Sequence, residues 1–316
     1  MPDPSGLVRA RSLSSANNSS KVFTAPHPPI LRTAACNVGT VFQPVDVELL
    51  RVAGITRVET VEPVSGGFVN EVFRVNNRVV LRRWTRPGAA QLELAAIEEA
   101  GKDGIPVPEV LAAAGERAVL SWVDGVRADL VPQDRALGRT LGELIRKVTE
   151  RRREAAGELT WNRGWHVTPW PAAGTEMLAE LVAGATDAPP GWAELARAHE
   201  VGLVTAPVRV HGDLNPKNVL LRPDGAVAAL LDWEFTFAGP RETDLGNLLR
   251  FEPRDEPPTP FALGVREGAG ADDEAVQRGR ELDLFSLAQF LAPRKDTSVR
   301  RRVRALAEHQ VATGRI

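Results

Sequence analysis

The chain has 316 residues, 43% hydrophobic and 25% charged, with a formal net charge of -2; this is ordinary globular composition, without the general basic field that nucleic acid would call for. The lone cysteine, Cys36, excludes an internal disulfide framework and a cysteine-based zinc cluster, and the five histidines show no metal-ligand spacing. No apolar run is long enough to span a membrane, so neither nucleic acid nor membrane is an expected partner, and a reducing cytoplasm is the expected setting.

Residues 1–44 are expected to be a disordered tail, because Ser, Asn and Pro are frequent there and neither apolar period appears. Its basic bias, Arg9, Arg11, Lys21 and Arg32 against Asp3, is shared with transit peptides, but a plain tail is the preferred reading. Order is expected from about Val45, with a short helix over 45–53. Residues 57–64, 71–75 and 78–82 read as strands, with turns at Ser65, Gly66 and Gly67 and at Asn76 and Asn77. A helical pattern over 89–100 stops at Gly101, and 110–113 and 118–123 complete an antiparallel sheet of five strands with one helix after the third.

Beyond Gly125 helical spacing dominates. Leu137, Leu141, Leu144, Ile145 and Val148 fall on one face. Residues 154–204 read as helical stretches broken at Pro171, Pro189 and Pro190. A strand at 208–210 runs into a polar loop, and 219–221 with 226–231 forms a hairpin around Pro223, Asp224 and Gly225. Residues 253–260 read as a Pro-rich loop, and helices around 280–292 and 298–312 close the chain. The expected division is 1–44 as tail, 45–124 as an N-terminal nucleotide-binding lobe and 125–316 as a larger, mostly helical C-terminal lobe.

The segment HGDLNPKNVLL, 211–221, is the most informative. A strand delivers a loop holding His211, Asp213, Asn215, Lys217 and Asn218, and a second apolar strand ends in Asp232. An Asp–Asn–Asp set at two strand ends suits the gripping of a hard cation and the orienting of a hydroxyl. Magnesium takes one or two protein oxygens and fills its other positions with phosphate oxygens and water.

HGDLNPKN has the HxDxxxxN spacing of the aminoglycoside phosphotransferase and choline kinase family, and the chain resembles that family over about residues 57–292. LLDWEFTFAGPRETDLGNLL is similar to the family's metal-binding Asp followed by its structural Asp-Leu element, VSGGFVNEVFRV to its nucleotide-covering hairpin, and VVLR to the strand that carries a phosphate-binding cation. The resemblance implies a two-lobed, protein-kinase-like α+β fold and transfer of the γ-phosphate of ATP or GTP, with Mg2+, to a hydroxyl of a small molecule. By the same resemblance, Asp213 is the catalytic carboxylate and Asn218 and Asp232 are the magnesium ligands. Arg82 holds phosphates and pairs with Glu93, and the backbone of Ser65, Gly66, Gly67 and Phe68 covers the phosphates. Arg82 departs from the family's usual lysine, and a planar fork is not a point charge.

His211 is expected to brace the loop and Asp244 to accept its backbone hydrogen bonds. Trp161, Trp165 and Trp170 are expected in a helical core, with stacking on a sugar ring as the alternative. Glu176, Glu180, Glu252, Asp255, Glu256, Asp272, Asp273 and Glu274 favour a cationic acceptor, an aminoglycoside-like amino sugar or antibiotic. The rival readings are a nucleotide-binding pseudokinase and a protein kinase; the latter lacks a DFG and APE pair bounding an activation segment. ATP against GTP and the oligomeric state are left open.

Overall fold

The computed structural model describes residues 8–9, 42–64, 70–170, 174–199, 201–203 and 206–316. They fall into two compact units, one of the described residues up to Asp103 with Val107–Asp124, the other of Gly104–Pro106 with Gly125–Ile316.

The first unit is an antiparallel sheet of β1 (Val8–Arg9), β2 (Val61–Pro63), β3 (Glu71–Val75), β4 (Val79–Arg83), β5 (Val110–Ala114) and β6 (Arg117–Ser121), in the order β1-β5-β6-β4-β3-β2. Helix α1 (Pro44–Val52) precedes β2, and α2 (Ala89–Lys102) lies between β4 and β5. The last five strands are those expected from the sequence. The sixth, β1, pairs Val8 and Arg9 with Ala113 and Ala112, inside a segment expected to hold no element. Two residues are too few for alternation to show as a period.

Successive residues of a strand face opposite sides, and β4 shows the consequence. Val79 and Leu81 pack with Leu49 and Leu50 of α1, while Val80 lies with Ala89 and Ala90 of α2. Arg82 accordingly meets Glu93 on α2, and Arg83 meets Asp46 on α1 at 2.7 Å. Asp46 is fully buried, also pairs with Arg117 at 3.1 Å, and accepts from the Gln43 amide at 2.7 Å, so one carboxylate caps α1 and ties it to β4 and β6.

The second unit contains, in chain order, β7 (Val126–Arg127), α3 (Arg135–Val148), β8 (Gly157–Trp161), β9 (Trp165–Pro169), α4 (Gly174–Gly184), α5 (Trp192–Arg197), β10 (Val208–Val210), β11 (Val219–Leu221), β12 (Val227–Leu230), β13 (Phe237–Gly239), α6 (Glu242–Leu249), α7 (Pro260–Ala269), α8 (Asp273–Phe290) and α9 (Ser298–Thr313). The expected face of α3 is buried along its whole length, and the expected β11–β12 hairpin forms.

Two elements differ from the sequence reading. Residues 157–169 are the hairpin β8–β9, closed by Asn162, Arg163 and Gly164, where a helical stretch was expected. Trp161 and Trp165 stand on this hairpin and meet edge-on across it at 5.2 Å, while Trp170 packs on Phe237 at 5.0 Å and, as expected, against the core of helices α4, α5, α8 and α9. The expected loop at 253–260 gives way at Pro260 to helix α7, which is capped by the Thr259 hydroxyl accepting from the Ala262 amide at 3.1 Å.

Helices α3 and α7 run parallel with their backbones nearly touching. A Cβ on Gly138 or Gly142 would lie 2.1 Å from the Phe261 carbonyl or 2.3 Å from that of Val265. One on Gly264 or Gly268 would lie 2.1 Å from the carbonyl of Arg135 or Arg139. Paired small residues four apart on both helices permit this approach. Arg135 and Arg139 then clasp Glu267 at the rim, the latter at 2.8 Å.

Candidate active site

Strand β10 ends at Val210, and the chain turns sharply at Gly212, whose φ of +82° and approach to the Phe235 carbonyl leave no room for a side chain. A Cβ there would stand 2.2 Å from that oxygen. Asp244, fully buried in the first turn of α6, accepts from the amides of His211 at 2.8 Å and Gly212 at 3.0 Å. His211, also fully buried, bonds the Leu231 carbonyl through Nε2 at 2.9 Å and takes the Asp213 amide on Nδ1 at 3.3 Å. These contacts make Nε2 the protonated nitrogen and His211 a brace between the loop and the end of β12.

The Asp213 carboxylate accepts from Asn215 Nδ2 on Oδ1 and from Asn218 Nδ2 on Oδ2, each at 3.0 Å. Asn218 Nδ2 also reaches the Asp213 carbonyl at 2.9 Å. With its nitrogen committed twice to Asp213, Asn218 keeps its oxygen as the end able to ligate a cation. Asp232, in electrostatic range of Asp213, follows β12 in a left-handed conformation, φ +61°, uncommon for a residue with a side chain. Burial raises the Asp213 pKa from its ordinary value, and Asn218, Arg250 and Asn215 oppose it.

A buried polar chain not anticipated from the sequence supports the loop from behind. Asn247 Nδ2 donates to the Gly212 carbonyl at 3.1 Å, and its oxygen accepts from Arg250 Nη2 at 2.5 Å. Arg250 in turn forks onto Asp283 of α8 at 2.6 and 2.8 Å. The signal was present as polar residues at 244, 247 and 250, three apart on an otherwise apolar segment.

His211 and Asp244, both fully buried, act on stability in opposite directions. Burial lowers the His211 pKa from 6.5 to about 4. Below pH 6.5 the unfolded chain therefore takes up this proton first, and stability falls until about pH 4. Burial raises Asp244 from 3.8 to about 6, so its contribution is full at low pH and is lost as pH rises through 6. In magnesium-free buffer, the gap in unfolding free energy between the parent and His211→Gln should move by roughly 3 kcal/mol, in favour of the variant, from neutral pH to pH 4. Denaturant titrations along that range check it, and a constant gap contradicts it.

In the first unit, Arg82 Nη1 and Glu93 Oε1 stand 3.0 Å apart, both buried, and Glu93 also accepts from Trp84 Nε1 at 2.6 Å. Ser65, Gly66, Gly67 and Phe68, expected to cover phosphates, lie outside the described residues.

A carboxylate from Asp232 and an amide oxygen from Asn218 are hard donors of the kind magnesium takes. No group of three or more His, Cys, Asp or Glu among the described residues could hold an ion by itself. Two protein oxygens completed by phosphate oxygens is the pattern that fits this set.

The sequence model of the phosphotransferase enzyme family, APH, matches residues 60–282. The chain belongs to that family. No curated protein matches it. Among solved structures, ADP-bound aminoglycoside phosphotransferase APH(2'')-Ib aligns with a TM-score of 0.57 at 13% identity, covering 86% of this chain and 100% of that one. The GDP complex of aminoglycoside 2'-phosphotransferase-IIIa aligns with a TM-score of 0.54 at 15% identity, covering 84% and 93%. A thermostable variant of APH(4)-Ia, solved with ADP and hygromycin B, aligns with a TM-score of 0.56 at 17% identity, covering 86% and 98%. At these identities the likeness shows the fold: this phosphotransferase-family chain has a two-lobed, protein-kinase-like α+β architecture. Among the described residues no helix is long and apolar enough to cross a membrane.

Proposed function

We propose that the protein transfers the γ-phosphate of ATP or GTP to a hydroxyl of a small molecule. The observation that carries this is the Asp213 carboxylate, held by Asn215 and Asn218 on a loop whose backbone Asp244 fixes. In this reading the acceptor oxygen attacks the γ-phosphorus, the bond from that phosphorus to the β,γ-bridging oxygen breaks, and the nucleoside diphosphate departs. The hydroxyl proton passes to Asp213, the carboxylate that Asn215 and Asn218 hold in place. Arg82, oriented by Glu93, contacts phosphate, and Asn218 and Asp232 hold magnesium, which neutralises charge on the phosphates when bound.

Asp232→Ala and Asn218→Ala should each weaken nucleotide binding in magnesium while leaving the magnesium-free affinity nearly unchanged. Calorimetric titrations under both conditions test this; parent-like affinity of both variants in both conditions would refute the metal role.

A nucleotide-binding pseudokinase is the alternative reading, and the retained Asp213, Asn218 and Asp232 set counts against it. An aminoglycoside-like acceptor draws support from the aminoglycoside kinases with similar folds. Its other support, the acidic residues, is weakened by what several of them do. The carboxylate of Glu252 binds the Thr259 hydroxyl at 2.5 Å, Asp255 pairs with His309 at 2.7 Å and Arg315 at 3.0 Å, Asp272 caps α8 at 2.8 Å, and Asp273 pairs with Arg266 at 2.5 Å.

A further inference from the structure

Trp84 follows β4 directly and keeps its ladder, donating its amide to the Glu116 carbonyl at 3.0 Å. Two residues beyond Arg82, it faces the same side of the sheet, and its indole packs with Ala89 and Ala90 of α2, where alanines leave room for a large ring. The Glu116 carboxylate accepts from the amides of Gly88 at 2.8 Å and Ala90 at 3.1 Å, at the start of α2. One residue thus ties the end of β4 to the helix that carries Glu93.

Three side chains meet there. Glu93 shares its two oxygens, Oε1 with Arg82 Nη1 at 3.0 Å and Oε2 with Trp84 Nε1 at 2.6 Å. The guanidinium carbon of Arg82 lies 5.2 Å from the centroid of the Trp84 ring, within reach of a cation–π attraction. All three side chains are buried, and such contacts are stronger there than in water.

This arrangement bears on an arginine standing where lysine is usual. A lysine ammonium is a point charge with no plane to orient, whereas a guanidinium gives two parallel N–H bonds to phosphate oxygens only when its plane is set. The indole acts on that plane in two ways, by holding the carboxylate through its N–H and by lying against the guanidinium.

We propose that Trp84 is a positioning residue for triphosphate binding: it fixes Glu93 and the plane of Arg82, so that the guanidinium meets the phosphates as a preset fork. The proposal rests on the reading above in which Arg82 contacts phosphate. Trp84 acts through Arg82 and touches no part of the nucleotide itself.

The test is calorimetric titration of ATP, GTP, adenosine and guanosine, in magnesium, into the parent, Trp84→Phe, Arg82→Met and the protein carrying both substitutions, with folding verified by thermal melts. The triphosphate that the parent binds should bind about tenfold more weakly to Trp84→Phe and at least as much more weakly to Arg82→Met, while the matching nucleoside binds all four alike. Adding Trp84→Phe to Arg82→Met should cost less than about twofold further, because the indole acts through the guanidinium. Parent-like triphosphate affinity in Trp84→Phe overturns the proposal. So does an equal loss for triphosphate and nucleoside, or an undiminished loss in the Arg82→Met background, since either makes Trp84 merely structural. Should Trp84→Phe fail to fold, the indole N–H resonance of Trp84 in the parent gives a second readout. It should shift with the triphosphate and stay in place with the nucleoside; a resonance blind to bound triphosphate overturns the proposal. If Arg82→Met binds triphosphate as the parent does, the phosphate role of Arg82 fails and the proposal fails with it. A loss in Arg82→Met without one in Trp84→Phe removes Trp84 alone and leaves that role standing.

Discussion

Asp213→Ala is expected to lower phosphoryl transfer by on the order of a thousandfold or more while leaving nucleotide affinity nearly unchanged. The carboxylate positions the acceptor oxygen and takes its proton, and neither task bears on nucleotide binding. Its geometry is fixed in advance by Asn215 and Asn218, each at 3.0 Å, so the acceptor meets a group already aligned. The loop should survive the substitution, because its backbone is held by Asp244 and His211 rather than by the Asp213 side chain. Steady-state turnover, nucleotide titration and a thermal melt on one preparation separate these effects. Parent-like turnover in a folded variant would remove Asp213 from its role.

The second large effect is on stability. Gly142→Leu should destabilise the protein by more than about 3 kcal/mol, because even the first carbon of the new side chain falls 2.3 Å from the Val265 carbonyl and 2.7 Å from the Ala269 amide. Those are main-chain atoms of α7, so no rotamer change relieves the overlap and the helices must separate. Gly142→Ala is the sharper test of sign. Alanine is favoured over glycine by about 1 kcal/mol in a helix interior, yet here the variant should be less stable than the parent. Gly184, exposed at the end of α4 with nothing within 4 Å of a Cβ, provides the control, and Gly184→Ala should be neutral or mildly stabilising. Denaturant midpoints of the three variants decide it, and a Gly142→Ala protein more stable than its parent would contradict the close packing of α3 and α7.

The same glycines explain why part of the fold was hidden in the sequence. Gly264 and Gly268 lower the helix propensity of residues 260–269, so the segment after a Pro-rich run did not read as a helix. Their reason for being there is the partner helix, a tertiary fact that local propensity does not carry. The β8–β9 hairpin was missed for a different reason: its strands are short, and Asn162–Arg163–Gly164 was not recognised as a turn, although Arg163 takes the left-handed conformation at φ +57°. By contrast, α3 has an unbroken apolar face, and the β11–β12 hairpin is announced by Pro223, Asp224 and Gly225, so both were legible.

The candidate site divides along the same line. Asp213, Asn218 and His211 are close in sequence, so the polar loop that holds them was legible, while their roles are what the family resemblance implies. The pairing of Arg82 with Glu93 is what the family resemblance implies, and strand alternation with the position of α2 supplies its physical reason. The supporting chain from Asn247 through Arg250 to Asp283 depends on how α6 crosses α8. There a Cβ on Gly246 would lie 2.0 Å from the Gly279 carbonyl, a contact no local pattern reveals.

Mass-spectrometric detection of a phosphorylated acceptor tests the central claim most directly. The protein would be incubated with ATP or GTP, magnesium and hydroxylated small molecules spanning acids, sugar phosphates and amino sugars, alongside Asp213→Ala. The account predicts a monophosphorylated product from at least one acceptor class, dependent on magnesium and absent with the variant. Nucleotide that binds with parent affinity while no acceptor is phosphorylated, or product that forms equally with Asp213→Ala, would contradict it.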